Sequence, residues 1–226
     1  MTENDELFRI EGKRIAITGG AGVLGREMAL GLAARGARIC VIDYDAFRAN
    51  EVCKEIEAGG GLAIPVQANV LDRSQLQEAY GCAIQTLGGL DVLINGAGGN
   101  RKEATCSAET SFFDLPQDAM RWVLDLNLVG TLLPSQVFGR RMATQKSGVI
   151  INIASMNAFR PLTNIPAYSA AKAAISNFTQ WLAVHMAMNY SPEIRVNAIA
   201  PGFFITHQNR FLLTRPEPEG GLTPRG

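Results

Sequence analysis

Residues 15–25 read Ile-Ala-Ile-Thr-Gly-Gly-Ala-Gly-Val-Leu-Gly, an apolar run that leads directly into a glycine-rich turn. Gly20, Gly22 and Gly25 fit the spacing G-x-G-x-x-G, and helix-forming sequence follows them. Glycines allow positive φ angles and let backbone N–H groups approach a phosphate closely, while a helix N-terminus favours negative charge. The segment therefore predicts a strand, a turn that binds the pyrophosphate of a dinucleotide, and a helix. A glycine-rich turn without a ligand is the alternative.

An acidic residue follows at the distance that such a turn requires. Asp43 ends the next apolar run, about 20 residues beyond the glycines, where a carboxylate accepts hydrogen bonds from the adenosine ribose hydroxyls. Its charge would repel a 2′-phosphate, which favours NAD over NADP as the cofactor. Asp43 alternatively caps the next helix, although Asp45 is available for that role.

Short apolar runs alternate with longer amphipathic stretches. We expect strands at Arg14–Thr18, Arg38–Asp43, Leu62–Val66, Leu90–Asn95, Val149–Ile153 and Arg195–Ala200. Helices are expected to begin near Gly22, Asp45, Ser74, Gln117 and Pro166. Nearly continuous apolar strands are typical of strands buried on both faces, and their alternation with helices predicts an α/β, Rossmann-type, doubly wound parallel sheet. We expect residues 1–226 to form a single nucleotide-binding domain, with an ordered core at 7–213 and a loop or ragged end at 214–226.

The composition argues against several other classes of protein. The 21 Lys and Arg residues balance 21 Asp and Glu residues, so the chain lacks the basic excess typical of nucleic-acid binding. No apolar run reaches the roughly 18 residues of a membrane helix, and the acidic segment 1–6 is unlike a secretory signal peptide. Four scattered cysteines and two histidines predict reduced thiols, no metal site and a soluble, cytoplasmic protein with neither nucleic acid nor membrane as a partner.

Polar residues in the second half of the chain indicate acid–base chemistry. Tyr168 and Lys172 stand four residues apart, on one face of a helix, where the lysine cation is expected to lower the pKa of the phenol. Ser155 follows the fifth strand at its carboxyl end, where ligands bind in such sheets. Asn127 lies in a helical stretch that Pro134 is expected to distort, because proline removes a backbone N–H. The alternatives are a surface pair, a strand-ending serine and a simple helix kink.

Together these residues resemble the short-chain dehydrogenase/reductase family. The motifs occur in family order from about residue 11 to the end: the glycine turn, Asn-Gly-Ala-Gly at 95–98, Asn127, Ser155, Tyr168, Lys172, and Pro201-Gly202-x-x-x-Thr206. The spacing of 13 residues from Ser155 to Tyr168 and of four from Tyr168 to Lys172 also matches the family.

The resemblance implies a catalytic role for each of four residues. Tyr168 would exchange a proton with the substrate oxygen, and Ser155 would orient and polarise that oxygen. Lys172 would hold the nicotinamide ribose and lower the tyrosine pKa, while Asn127 would hold a water that links Lys172 to solvent. The activity implied is hydride transfer between a nicotinamide cofactor and a secondary alcohol or ketone.

The resemblance also implies a set of contacts to NAD. These are Gly19, Gly22, Val23, Leu24, Gly25, Asp43, Asn69, Val70, Asn95, Ala97, Gly98, Tyr168, Lys172, Pro201, Gly202 and Thr206. Three positions depart from the family pattern. Val23 stands where the turn usually has glycine, Asn69 replaces an adenine-binding aspartate, and Gly96 replaces a second asparagine.

Two loops resemble a sugar-acid branch of the family, the D-mannonate oxidoreductases or fructuronate reductases. They follow Ser155 and Gly202, and they contain polar residues suited to a hydroxylated anion. Asn157, Arg160, His207 and, before them, Arg101 are the expected substrate contacts, with Arg160 the first choice and Arg101 and Arg210 the reserves for a carboxylate. A polyol dehydrogenase, a 3-oxoacyl reductase and a non-catalytic nucleotide-binding protein remain the alternatives.

Two expectations concern the whole molecule. Family members usually continue through a further helix and strand beyond the point where Gly226 ends this sequence, so the chain is expected to lack those elements. A homo-oligomer, either dimer or tetramer, is expected from the resemblance.

Overall fold

The computed structural model describes residues 8–202, 204, 214–216 and 222–224. Strands β1 to β6 are Arg14–Thr18, Arg38–Asp43, Leu62–Gln67, Val92–Asn95, Gly148–Ile153 and Ile194–Ile199. They pair in parallel in the order β3-β2-β1-β4-β5-β6. The predicted doubly wound parallel sheet is confirmed, and four of the strands start or end up to two residues from the predicted bounds.

Helices cover both faces of the sheet. Helices α1 to α6 are Val23–Ala33, Ala46–Ala58, Arg73–Leu87, Gln117–Leu124, Gly130–Gln145 and Pro166–Asn189. Five of them begin within one residue of the predicted start. Local capping explains two of these starts, because Asp45 accepts the Arg48 N–H at 3.1 Å and Asp72 accepts the Ser74 N–H at 2.9 Å.

Two hydrophobic clusters, one on each face, hold the helices to the sheet. Ile15 and Ile17 of β1 face the cluster that contains α1 and α2, while Ala16 faces the cluster that contains α3, α5 and α6. The expectation that all strands are buried on both faces is confirmed for β1 and β2. It is wrong for β3 and β6, where one and two residues respectively are buried, because these strands lie at the edges of the sheet within the described residues.

The strand order reverses between β1 and β4, which lie side by side although they are far apart in the chain. Connections leave these two strands toward opposite sides, and their carboxyl ends therefore border a crevice, the usual ligand site in open α/β sheets. Thr18 and Asn95 are paired at these two strand ends.

Two local features differ from the sequence expectations. The helical stretch around Asn127 is distorted as expected, but the distortion is a π-helical turn at Asp125–Val129, just before the α5 helix that contains Pro134. Within 214–226, predicted as a loop, Thr214–Pro216 and Leu222–Pro224 form an antiparallel pair, β7 and β8. None of the helices in the described part of the chain has the length and apolar character of a membrane span.

Candidate active site

The glycine turn between β1 and α1 is folded so tightly that side chains are excluded from it. Gly19 adopts a φ of +64°, and a Cβ atom there would lie 2.7 Å from the Ala97 Cα atom. A Cβ atom on Gly25 would overlap the Gly19 carbonyl oxygen. The Gly22 N–H donates to that carbonyl at 3.0 Å and closes the turn. Backbone alone therefore forms this wall of the crevice.

The N-terminus of α1 is open toward the turn. Gly22 is its N-cap residue, no side chain caps the helix, and the first helical turn contains no acidic residue. The amides of Val23, Leu24 and Gly25 belong to the first turn, whose N–H groups have no carbonyl partner within a helix. Val23, which departs from the family pattern, is 41% exposed, so its side chain is accommodated at the surface. The arrangement suits a phosphate group.

Asp43 lies at the carboxyl end of β2, against the glycine turn. Its side chain is buried, with Oδ2 accepting the Ala21 N–H at 3.0 Å and Oδ1 accepting the Asp45 N–H at 3.1 Å. Asp45 caps α2, so the alternative role of Asp43 as a helix cap is excluded. Each carboxylate oxygen keeps a second lone pair, which can accept a ribose hydroxyl.

Other expected cofactor contacts lie after β3 and β6. The Asn69 side-chain oxygen accepts the Leu71 N–H at 3.0 Å, so the amide oxygen expected at the adenine also holds its own turn. Val70 is buried against Gly130 of α5. The Pro201 carbonyl accepts the Met156 N–H at 3.1 Å, which joins the segment after β6 to the one after β5. Gly202 is exposed beside Pro201, while Thr206 lies outside the described residues.

The side chain of Asn95 points away from the crevice, so the expected contact of Asn95 with the cofactor stays a prediction that falls to its backbone. It is 2% exposed, and its amide donates to Ser135 Oγ at 2.9 Å and to Asn152 Oδ1 at 2.8 Å. Side chains alternate along a strand, and Asn95 occupies the register that faces α5 and α6. The start of the loop after β4 is held by Thr18, whose hydroxyl oxygen accepts the Gly96 N–H at 3.2 Å.

Asn127, in the π-helical turn between α4 and α5, binds the loop after β4 through its side chain. Its Oδ1 accepts the Gly99 N–H at 3.1 Å, and its Nδ2 donates to the Gly99 carbonyl at 2.7 Å and to the Val123 carbonyl at 2.8 Å. Gly98 is required beside it, because a Cβ atom there would lie 2.7 Å from Asn127 Oδ1 and 3.3 Å from Lys172 Nζ. Both amide hydrogens are used, so the side chain acts here as a clamp on the backbone. A water held by this residue stays a prediction.

Ser155, Tyr168 and Lys172 meet at the carboxyl end of β5. Ser155 accepts the Asn157 N–H through its hydroxyl at 3.2 Å and is hydrogen-bonded to the Tyr168 side chain. Lys172 is 4% exposed, donates to the Ile153 carbonyl at 2.8 Å, and lies 5.5 Å from the centroid of the Tyr168 ring. Helix α6 positions both residues, since they are one turn apart on the face toward β5.

The pKa values of this group differ from the expectation. Burial raises the pKa of Tyr168 above its ordinary value, and the hydrogen bond with Ser155 opposes this shift without cancelling it. The predicted lowering is therefore wrong for the protein without cofactor. The reason is burial of the phenol, which outweighs the hydrogen bond with Ser155. Burial lowers the pKa of Lys172 itself to about 8.

The expected substrate residues divide into free and occupied groups. Arg160 is exposed, and its guanidinium has no hydrogen bond or ion pair with any described residue. Arg101 is occupied, since it pairs with Glu103 at 3.0 Å and lies 4.9 Å above the ring of Trp122. Asn157 is buried two residues after Ser155. His207 and Arg210 lie outside the described residues.

Several residues at the site are not among those predicted from the sequence. The Ile153 carbonyl accepts a hydrogen bond from the Lys172 amine, and the Gly99 carbonyl accepts one from the Asn127 side chain. The Thr18 hydroxyl holds the start of the loop after β4. Arg48 donates to the Ala21 carbonyl at 2.7 Å, next to Asp43. Only Thr18 had a signal in the sequence, as a hydroxyl residue between an apolar run and the glycines.

Comparison with known proteins assigns the family. The chain matches the short chain dehydrogenase model over residues 13–215. It belongs to the short chain dehydrogenase family and is an oxidoreductase.

Three similar proteins illustrate the range of the family. The uncharacterized oxidoreductase UxuB of Bacillus subtilis is 46% identical over 224 residues, which cover 96% of this chain and 79% of the relative. A solved structure from Haemophilus influenza with bound NAD, provisionally named a D-mannonate oxidoreductase, is 45% identical with a TM-score of 0.85 and covers 95% and 79% of the two chains. The 7alpha-hydroxysteroid dehydrogenase of Escherichia coli is 33% identical over 216 residues, or 96% of this chain and 80% of the relative.

Proposed function

We propose that the chain is an NAD-dependent oxidoreductase that interconverts a secondary alcohol and a ketone on a sugar acid of the D-mannonate or D-fructuronate type. The proposal is carried by the cluster of Ser155, Tyr168 and Lys172 beside a backbone crevice suited to a dinucleotide. The bound NAD and the provisional name of the Haemophilus structure support the choice of cofactor and of substrate class.

The residues of this crevice fit NAD. The glycine turn and the open N-terminus of α1 offer backbone N–H groups to the pyrophosphate. Asp43 offers acceptors for the adenosine ribose hydroxyls, and its negative charge disfavours the 2′-phosphate of NADP. Lys172 keeps ammonium hydrogens beyond the one that Ile153 accepts, and these can donate to the nicotinamide ribose.

When bound, the nicotinamide supplies or accepts the hydride, and the chain supplies the proton. The raised pKa of Tyr168 keeps its phenol protonated before cofactor binds, which is the form that donates to a ketone oxygen. Ser155 is placed to share a hydrogen bond with the same oxygen as negative charge develops there. A protonated Lys172 favours the phenolate that forms, because an opposite charge nearby stabilises it.

Arg160 is the cation that we assign to the substrate carboxylate. It lies five residues after Ser155 and is free of partners among the described residues, whereas Arg101 is already paired with Glu103. A guanidinium binds a carboxylate through two parallel hydrogen bonds. Asn157, and His207 farther along the chain, are assigned to the sugar hydroxyls.

Kinetics with an acid and a neutral ketose test this assignment. Initial rates of NADH oxidation are measured with D-fructuronate and with D-fructose, in the unmodified protein, in Arg160→Met and in Arg140→Met as an exposed-arginine control on α5. Charge-assisted hydrogen bonds contribute about 1.5 to 3 kcal/mol each, so Arg160→Met should raise KM for the acid about tenfold or more. The control should leave KM unchanged, and the effect on the neutral sugar should be smaller.

The other outcomes identify other functions. If D-fructose is used as well as D-fructuronate, the substrate needs no carboxylate, and a polyol dehydrogenase is favoured. Turnover of a 7α-hydroxysteroid alone would favour the activity named for the Escherichia coli relative. NADH binding without turnover of any of these compounds would favour a non-catalytic nucleotide-binding protein.

A further inference from the structure

A chain of buried hydrogen bonds begins at Asn127 and leads away from the crevice along α5. The Thr131 hydroxyl donates to the Asn127 carbonyl at 2.8 Å, and the Ser135 hydroxyl donates to the Thr131 carbonyl at 2.7 Å. Thr131 is 2% exposed and Ser135 is 5% exposed. Each step spans one turn of the helix, so the hydroxyls form a continuous line on its buried face.

The chain then continues along this face of the sheet to α6. The Asn95 amide donates both to Ser135 Oγ at 2.9 Å and to Asn152 Oδ1 at 2.8 Å. The Asn152 amide donates to Thr179 Oγ1 at 2.9 Å, and Thr179 in turn donates to the Ile175 carbonyl at 2.8 Å. The two asparagines lie on the neighbouring strands β4 and β5, where they are paired in register. The hydrogen bonds thus link α5 and α6, which cover the same face of the sheet, through two side chains of that face.

The far end of this chain lies on the face of α6 that carries the active-site residues. Thr179 is seven residues after Lys172, about two helical turns, so both side chains point toward β5. Lys172 donates to the Ile153 carbonyl, and Thr179 accepts from Asn152, the residue directly before it. Helix α6 is therefore tied to two consecutive residues of β5, two and three positions before Ser155.

We propose that Asn152 and Thr179 are positioning residues, whose hydrogen bond sets the placement of α6 against β5 and thereby holds Tyr168 and Lys172 opposite Ser155. An apolar pair would pack in this core at a lower desolvation cost, yet it would allow α6 to slide along the sheet. Directional hydrogen bonds between buried groups fix one placement. Only the activity measurement below rests on the proposed function.

The titration of Lys172 reports this placement without substrate or cofactor. Tyr168 is the titratable group that faces Lys172, and no carboxylate among the described residues forms an ion pair with it. Loss of the Thr179 hydroxyl should let α6 move and expose the amine, which raises its pKa from about 8 toward 10.5. Competitive acetylation followed by mass spectrometry measures this pKa in the intact protein.

Four variants separate positioning from packing. Thr179→Val removes the hydroxyl and keeps the shape, Thr179→Ala removes it with a smaller side chain, and Thr179→Ser restores it. Thr144→Val is the matched control, because the Thr144 hydroxyl donates to the Arg140 carbonyl at 3.0 Å on the exposed face of α5. The valine and alanine variants should raise the Lys172 pKa by at least about one pH unit, and the serine and control variants should not.

Rates with NADH and D-fructuronate give the second readout. Misplacement by about 1 Å can lower turnover a hundredfold, so kcat should fall at least about tenfold in Thr179→Val and recover in Thr179→Ser. An unchanged Lys172 pKa in folded Thr179→Val or Thr179→Ala would overturn the proposal. If the unmodified protein does not turn over D-fructuronate, the proposed substrate fails, and the titration alone decides the positioning role.

Discussion

Replacement of Lys172 by methionine should make protein stability less dependent on pH. The Lys172 amine is 4% exposed and has no carboxylate partner among the described residues, so its charged form is costly in the folded protein. Methionine has a similar length and suits the buried site but carries no charge. The variant removes the single titration that we wish to isolate.

The direction and size follow from the lowered pKa. Burial lowers the pKa of Lys172 from 10.5 to about 8, so between these values the unfolded chain binds a proton that the folded chain does not. Stability therefore rises with pH in this window, and below pH 8 the burial of the charge destabilises the fold. At about 1.4 kcal/mol per pH unit, the gain of the unmodified protein over Lys172→Met from pH 7 to pH 10 is on the order of 2 to 3 kcal/mol.

Urea denaturation at a series of pH values between 7 and 10 measures this difference. Lys172→Met also loses the hydrogen bond to the Ile153 carbonyl, but it does so at every pH, so this loss shifts the free energy of unfolding without changing its slope against pH. Lys54→Met serves as the control, because Lys54 is exposed on α2 and its pKa is raised by Glu51. A free-energy difference between Lys172→Met and the unmodified protein that stays constant across this range would refute the reasoning.

Three further predictions concern the crevice and the reaction. Tyr168→Phe should lower kcat by at least about 100-fold with little change in NAD affinity, and near-full turnover would show that another group donates the proton. Asp43→Ala should reduce the preference for NAD over NADP, measured as the ratio of kcat/KM values; equal use of both cofactors by the unmodified protein would disprove the role of the carboxylate. Gly98→Ala should destabilise the fold by about 1 to 3 kcal/mol in urea denaturation, because its Cβ would lie 2.7 Å from Asn127 Oδ1. Gly81→Ala, with open space at the Cβ position on α3, should instead be neutral or slightly stabilising.

Local signals in the sequence were sufficient for the sheet and for the glycine turn. The turn residues determine their own conformation, since Gly19 adopts a positive φ and the backbone packed against Gly25 leaves no room for a side chain there. Helix starts were predictable where one residue caps the helix, as Asp45 does for α2. Residues that act through short-range geometry, such as Tyr168 and Lys172, were placed correctly on one helical face.

Features that depend on tertiary context were not predictable. The direction of the Asn95 side chain depends on which face of β4 meets α5 and α6, and no pattern near residue 95 reveals that. The raised pKa of Tyr168 results from burial, whereas the sequence suggested only its distance from Lys172. The partial exposure of strands β3 and β6 is not predictable either, because composition does not reveal a strand's place in the sheet.

Deuterium transfer tests the central claim most directly. The protein is incubated with NADH that carries deuterium at the transferable position, together with D-fructuronate, and the product is examined by mass spectrometry. Our account predicts a hexonate with one deuterium at the new secondary alcohol carbon, and far less of it with Tyr168→Phe at equal protein concentration. Absence of any deuterated product from the folded, NADH-binding protein would contradict the proposed oxidoreductase activity on this sugar acid.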